Sequence, residues 1–128
     1  MEFFKDAVAW VEIPVVDFER AKAFYQAIFD YEMSEMEMGP LRMGFLLHDR
    51  EAQGIGGAIC AGEGYVPSGE KGLRIYLNGG ADLNTVLNRV PAAGGQITMP
   101  KVEIAPDMGH MAFFSDTEGN VLGLHSMA

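Results

Sequence analysis

The stretch Val8-Ala-Trp-Val-Glu-Ile-Pro-Val-Val-Asp-Phe-Glu-Arg-Ala-Lys-Ala-Phe-Tyr-Gln-Ala-Ile-Phe29 changes its hydrophobic period from two to about 3.6 within a few residues. In residues 8–15 the residues alternate, as in a strand. Ala9, Val11, Ile13 and Val15 form an apolar face, and Val8, Trp10, Glu12 and Pro14 a mixed one. Asp17 stands where a helix N-cap belongs, and Glu19 places a carboxylate in the first turn, where the helix dipole favours it. Phe18, Ala21, Tyr25 and Ile28 follow at helical spacing, with Phe24 beside them, so the helix is expected to end near Phe29 with Asp30 at its exit. Strands are then expected over 31–38 and 41–48, joined at Gly39-Pro40, and over 57–61.

The second half repeats this order. Residues 73–78, LRIYLN, read as a strand with Leu73, Ile75 and Leu77 on one face and Arg74, Tyr76 and Asn78 on the other. Gly79-Gly80 turns the chain and Asp82 is a candidate N-cap. Leu83, Val86, Leu87 and Val90 then mark one face of a second helix, stopped near Val90 by Pro91. Strands are expected over 96–103, 110–115 and 120–126, the last two joined by the turn DTEGN at 116–120. An internal repeat of element order therefore governs the fold. The fold class is α+β: two tandem βαβββ modules, about 5–64 and 71–128, joined by 65–70 in one domain. The apolar strand faces are expected to pack on the helices, and the mixed faces to line a cup.

Composition sets the boundaries of function. The chain has 128 residues, 18 acidic and 9 basic, for a net charge of −9. It lacks the basic footprint that attraction to phosphate needs, so nucleic acid and anionic membrane are excluded as partners. Its one cysteine, Cys60, rules out an intrachain disulfide and suits a reducing cytoplasm. No stretch reads as a signal peptide or a membrane span, so a cytoplasmic location is expected.

EIPVVDFERAKAFYQAIF, AAGGQITMPKVEI and GHMAFFSDTEGNVLGLHS together resemble the vicinal oxygen chelate superfamily, which includes glyoxalase I, bleomycin resistance proteins and extradiol dioxygenases. The resemblance runs from about residue 8 to 126. It implies paired modules forming a cup, often completed by a homodimer. In metal-dependent members, His, Glu or Gln side chains on the first and last strands of each module hold a divalent ion. Here the corresponding positions carry Trp10, Arg74 and Gly123, and the fourth falls in GIGGAICAG, which has no His or carboxylate. Indole nitrogen donates only, guanidinium stays cationic, and glycine has no side chain. No metal and no cofactor are therefore expected.

Two polar residues stand two positions beyond the vacated sites, Glu12 after Trp10 and His125 after Gly123. Both are candidates for general acid–base catalysis, and Trp10, Arg74 and Tyr76 are candidates for ligand contact. Glu12 admits a second role, as a buried structural carboxylate paired with Arg74 or capped by backbone groups. Met33, Met36, Met38 and Met43 read as core filler or as an adaptable apolar wall. Cys60 reads as a small buried hydrophobe, and His48 and His110 as surface or edge residues. The functional expectation is metal-independent binding of a small molecule, with a homodimer as the assembly. The alternative is a lyase, isomerase or dioxygenase-like enzyme related to lactoylglutathione lyase, acting on a small oxygenated substrate.

Overall fold

A computed structural model describes residue 3 and residues 5–128. The first module is built from β1 (Trp10–Pro14), α1 (Phe18–Phe29), β2 (Glu35–Met38), β3 (Leu41–Phe45) and β4 (Gly56–Ala61). The second is built from β5 (Tyr76–Asn78), α2 (Asn84–Leu87), β6 (Gln96–Ala105), β7 (Gly109–Ser115) and β8 (Val121–Ser126). Each module folds into a four-stranded sheet, in the orders β1-β4-β3-β2 and β5-β8-β7-β6. In both, the first strand pairs in parallel with the last and lies at the sheet edge. The repeat of element order is thus a repeat of topology. Equivalent bonds anchor it: the Val15 amide donates to the Cys60 carbonyl at 2.9 Å, and the Gly79 amide to the His125 carbonyl at 2.7 Å.

Helix α1 follows its local signals closely. The Asp17 side chain caps it by accepting from the Arg20 amide, and Asp30 ends it in the left-handed conformation, with φ of 52°. Phe18, Ala21, Phe24, Tyr25 and Ile28 are buried. They join Ile13, Val15 and Ile59 of the first sheet, Leu83, Val86, Leu87 and Val90 from the second module, and Phe114, Leu122 and Leu124 of the second sheet in one core. Phe24 stands 6.1 Å from Phe114 across the module boundary. Fully burying side chains of this size contributes about 1.5–3 kcal/mol each, so neither module keeps its core without the other.

Several boundaries differ from expectation. Strand β1 starts at Trp10, and β2 and β3 occupy only the inner parts of 31–38 and 41–48. Helix α2 stops at Leu87, three residues before Val90. Pro91 disfavours helical geometry at the preceding residue, and the chain tightens there, with Arg89 bonding back to Val86 and Val90 to Leu87. Strand β5 is only three residues long, and Leu73 is 92% exposed instead of sharing a buried face with Leu77. Strand β5 pairs with β8 only over Tyr76–Asn78, and just before it the Ile75 carbonyl accepts from the Gly123 amide at 2.8 Å. The two sheets stay open, and no closed barrel forms.

The turn at 116–120 is the joint between modules. Asp116 is buried and accepts from the Tyr25 hydroxyl at 2.8 Å, from the Asn120 side chain at 2.9 Å, and from the amides of Glu118 and Asn120. The Asn120 side chain also donates to the Pro14 carbonyl at 2.8 Å. Glu118 caps the entry to α1, accepting from the Val16 and Asp17 amides at 2.9 and 2.7 Å and from Arg20 Nε at 2.7 Å.

Candidate functional site

With the helices on one face of each sheet, the other face carries the residues of opposite parity. In the first sheet these are Trp10 and Glu12 on β1, Ala58 and Cys60 on β4, and Met43 and Phe45 on β3. In the second they include Tyr76 on β5, Gly123 and His125 on β8, and Met111 and Phe113 on β7. A cleft of about 1380 Å³ runs between the modules, bordered by β1 and by the segment from Leu73 to Asn78. Trp10, Glu12, Arg74 and Tyr76 all line it.

Glu12 is held by neutral donors. Tyr65 donates its hydroxyl to Oε1 at 2.7 Å, and Trp10 donates Nε1 to Oε2 at 3.2 Å. Tyr65 belongs to the segment expected to be a linker, yet it folds over the first sheet and packs with Phe45 on a cluster of Met43, Ala58 and Cys60. The bond to Glu12, helped by burial, pushes the Tyr65 hydroxyl up to about 12. Trp10 also meets Phe45 edge to face, with ring centroids 6.3 Å apart. The expected structural pairing of Glu12 with Arg74 does not form. Both Glu12 oxygens are engaged by Tyr65 and Trp10, and the Arg74 guanidinium lies 4.3 Å over the Phe113 ring.

On the second wall Tyr76 rests on bare backbone. A Cβ added at Gly123 would come within 2.5 Å of the Tyr76 ring, so the glycine is what admits it. Tyr76 also borders a smaller cavity of about 540 Å³, and His125 lines that cavity, not the main cleft. The His125 ring contacts the Met108 carbonyl through Nε2 at 2.9 Å. Glu12 and His125 therefore occupy neighbouring cavities, with Tyr76 on both. His48, expected at the surface or at a strand edge, is half-buried just beyond β3 on the cleft wall, where its ring fills the space beside Gly56. His110 is half-buried too, with its Nδ1 enclosed and without a partner among the described residues. Burial pushes the Cys60 thiol up to about 11, and the nearby Glu12 charge adds to this, so it is a poor nucleophile.

The equivalent bonds at Val15 and Gly79 align the modules residue by residue. Trp10 corresponds to Arg74, Glu12 to Tyr76, and Ala58 to Gly123. The four positions at which metal-dependent members of the resembled superfamily hold their ion are therefore Trp10, Ala58, Arg74 and Gly123, none of whose side chains can ligate a metal. Among the described residues, no three His, Cys, Asp or Glu side chains form a metal-binding group. Also among these residues, no helix is long and apolar enough to cross a membrane.

Comparison with solved structures settles the architecture. TnmS3, an antibiotic binding protein from Streptomyces sp. CB03234, superposes with a TM-score of 0.70 at 24% identity, over 99% of this chain and 100% of that one. The chain has the fold of the vicinal oxygen chelate superfamily. Residues 8–43 also match the family model described as bleomycin resistance protein-like N-terminal. Over 126 residues the chain is 27% identical to the Mycobacterium bovis protein named "Putative glyoxylase CFP32", covering 96% of this chain and 46% of that protein. The chain thus spans about half the length of this curated relative. A glyoxylase-like domain-containing protein of Didymella fabae is 28% identical over 117 residues, 88% of each chain.

Tyr65 is the residue beside Glu12 that the sequence does not single out, and Ala58 is the fourth position that the sequence places only within GIGGAICAG. Tyr65 lies in a segment without periodicity, and its partner Glu12 is 53 residues away. Ala58 becomes legible only once the strand register aligns the two halves.

Proposed function

We propose that the protein binds a small organic molecule in the cleft between its modules, without a metal ion. The observation that carries this reading is the content of the four cage positions. Trp10, Ala58, Arg74 and Gly123 replace ligating side chains with an indole wall, a guanidinium and the seat of the Tyr76 ring. Aromatic surface of this kind suits a flat apolar body, and the few polar groups beside it fix orientation. The likeness to an antibiotic binding protein supports the same reading. The enzymatic alternative is not favoured, because it joins Glu12 with His125, and these border different cavities.

A homodimer belongs to the proposal. Trp10 and Tyr76 are 42% and 47% exposed, and a second copy laid across the open faces would complete the enclosure. Light scattering that gives a clean monomer would refute this part.

The test is a panel of antibiotics and aromatic natural products, read by thermal shift and by the emission of Trp10, the only tryptophan. A ligand at a hundred times its Kd stabilises the fold by about 2.7 kcal/mol, roughly 10 °C for a chain of this size. Binders should also change the Trp10 emission and keep their affinity in EDTA. A panel that moves neither signal refutes the binding reading. Affinity lost in EDTA and restored by a divalent metal refutes its metal-free part.

A further inference from the structure

Resting on the binding reading, the environment of Glu12 narrows the class of ligand. Its two oxygens accept one hydrogen bond each, both from neutral groups, Tyr65 at 2.7 Å and Trp10 at 3.2 Å. A carboxylate offers about four acceptor sites, so about two remain for a donor from the cleft. The ion pairs among the described residues join Arg20 to Glu118, Lys22 to Glu35, Arg42 to Glu19 and Glu35, and Lys101 to Asp82. None of them engages Glu12. The cations of the cleft lining are Lys5 and Arg74; neither is paired with Glu12, and the Arg74 guanidinium is stacked on Phe113.

Among the described residues no cation is bound to Glu12, which forms a corner of the cleft wall with Trp10 and with the Tyr65 hydroxyl bonded to it, Phe45 standing edge-on to Trp10. Aromatic faces attract cations through their ring quadrupoles, and a fixed carboxylate adds a charge-assisted hydrogen bond. Two neutral donors hold the carboxylate in place in advance, so little is spent ordering it when a ligand arrives. We infer that this corner receives a protonated amine, and that the ligand of the cleft is an organic cation with a flat apolar body. Arg74, on the opposite wall, repels the same charge and so directs the amine toward the Glu12 end. The net charge of −9 draws such a ligand toward the protein.

Calorimetric titration at pH 7 with three matched probes tests the inference: 2-naphthylmethylamine, 2-naphthylmethanol and 2-naphthoate. They share one flat ring system and differ in charge. The amine should bind at least tenfold more tightly than the alcohol, and the acid most weakly. Glu12→Gln should weaken the amine at least tenfold and leave the alcohol within twofold, the alcohol also reporting that the variant is folded. Equal binding of amine and alcohol by the wild type would overturn the inference, as would a Glu12→Gln protein that keeps the preference. Failure of all three probes to bind overturns it as well. The binding reading itself falls only if the antibiotic panel is also silent.

Discussion

Replacing Glu118 by Gln should cost about 3 kcal/mol at neutral pH and make the protein's stability much less sensitive to acid. The Glu118 side chain is fully buried, with 0% exposure, although it sits in a turn. Burial alone would raise its carboxyl. The Arg20 guanidinium, the Asp17 amide, the Thr117 hydroxyl and the Val16 amide outweigh that, holding it down from 4.5 to about 2. At about 1.4 kcal/mol per pH unit, the difference corresponds to about 3 kcal/mol. The sign follows from the depressed value in the folded state. The stabilisation is complete well above pH 4.5, fades as pH falls, and is gone below about 2, with about 2 kcal/mol lost by pH 3. Thermal melts from pH 7 to pH 3 provide the assay. At pH 7 the Glu118→Gln protein should melt roughly 10 °C below the wild type, and the gap should narrow to a few degrees at pH 3. A gap under 2 °C at pH 7, or one that stays constant across the range, would refute the assignment of this side chain as the charged latch between modules.

Gly123→Ala should destabilise the protein by about 1–3 kcal/mol, because the new methyl meets the Tyr76 ring at 2.5 Å. In a Tyr76→Ala background most of that cost should vanish, and a double-mutant cycle on melting temperature that is additive would refute the contact. Cys60, buried and with its thiol pushed up to about 11, should react with a disulfide reagent at pH 8 at least a hundredfold more slowly in the native protein than in urea.

What could be read from the sequence was whatever local chemistry decides. Helix α1 was legible to its caps, because Asp17, Asp30 and the buried stripe from Phe18 to Ile28 act within a few turns. The alternation in β1 correctly separated Ile13 from Glu12, one toward the core and one toward the cleft. The early end of α2 depends on Pro91 acting on the preceding residue, and the short β5 on how little of it pairs with β8, which no local pattern shows. The DTEGN turn was read as a hairpin, which it is. Its larger part, Glu118 reaching Val16, Asp17 and Arg20 about a hundred residues away, is invisible to any local pattern. Within the site, Trp10, Glu12, Arg74 and Tyr76 came from strand parity and do share a cleft, whereas His125 shares parity but borders another cavity.

The strict division of the sheet faces bears on how such a protein changes over time. On β1, Ile13 is sealed in the core while Trp10 and Glu12 face the cleft, so neighbouring letters of the sequence answer to different demands. A substitution at Trp10 or Glu12 changes the cleft wall without opening a hole beneath the helices. A substitution at Ile13 or Ile59 threatens the fold without touching the cleft wall. The cleft wall can thereby change while the core stays the same, one odd or even position at a time. Tyr76 and Gly123 are the exception: ring and bare backbone fit one another, so they must change together.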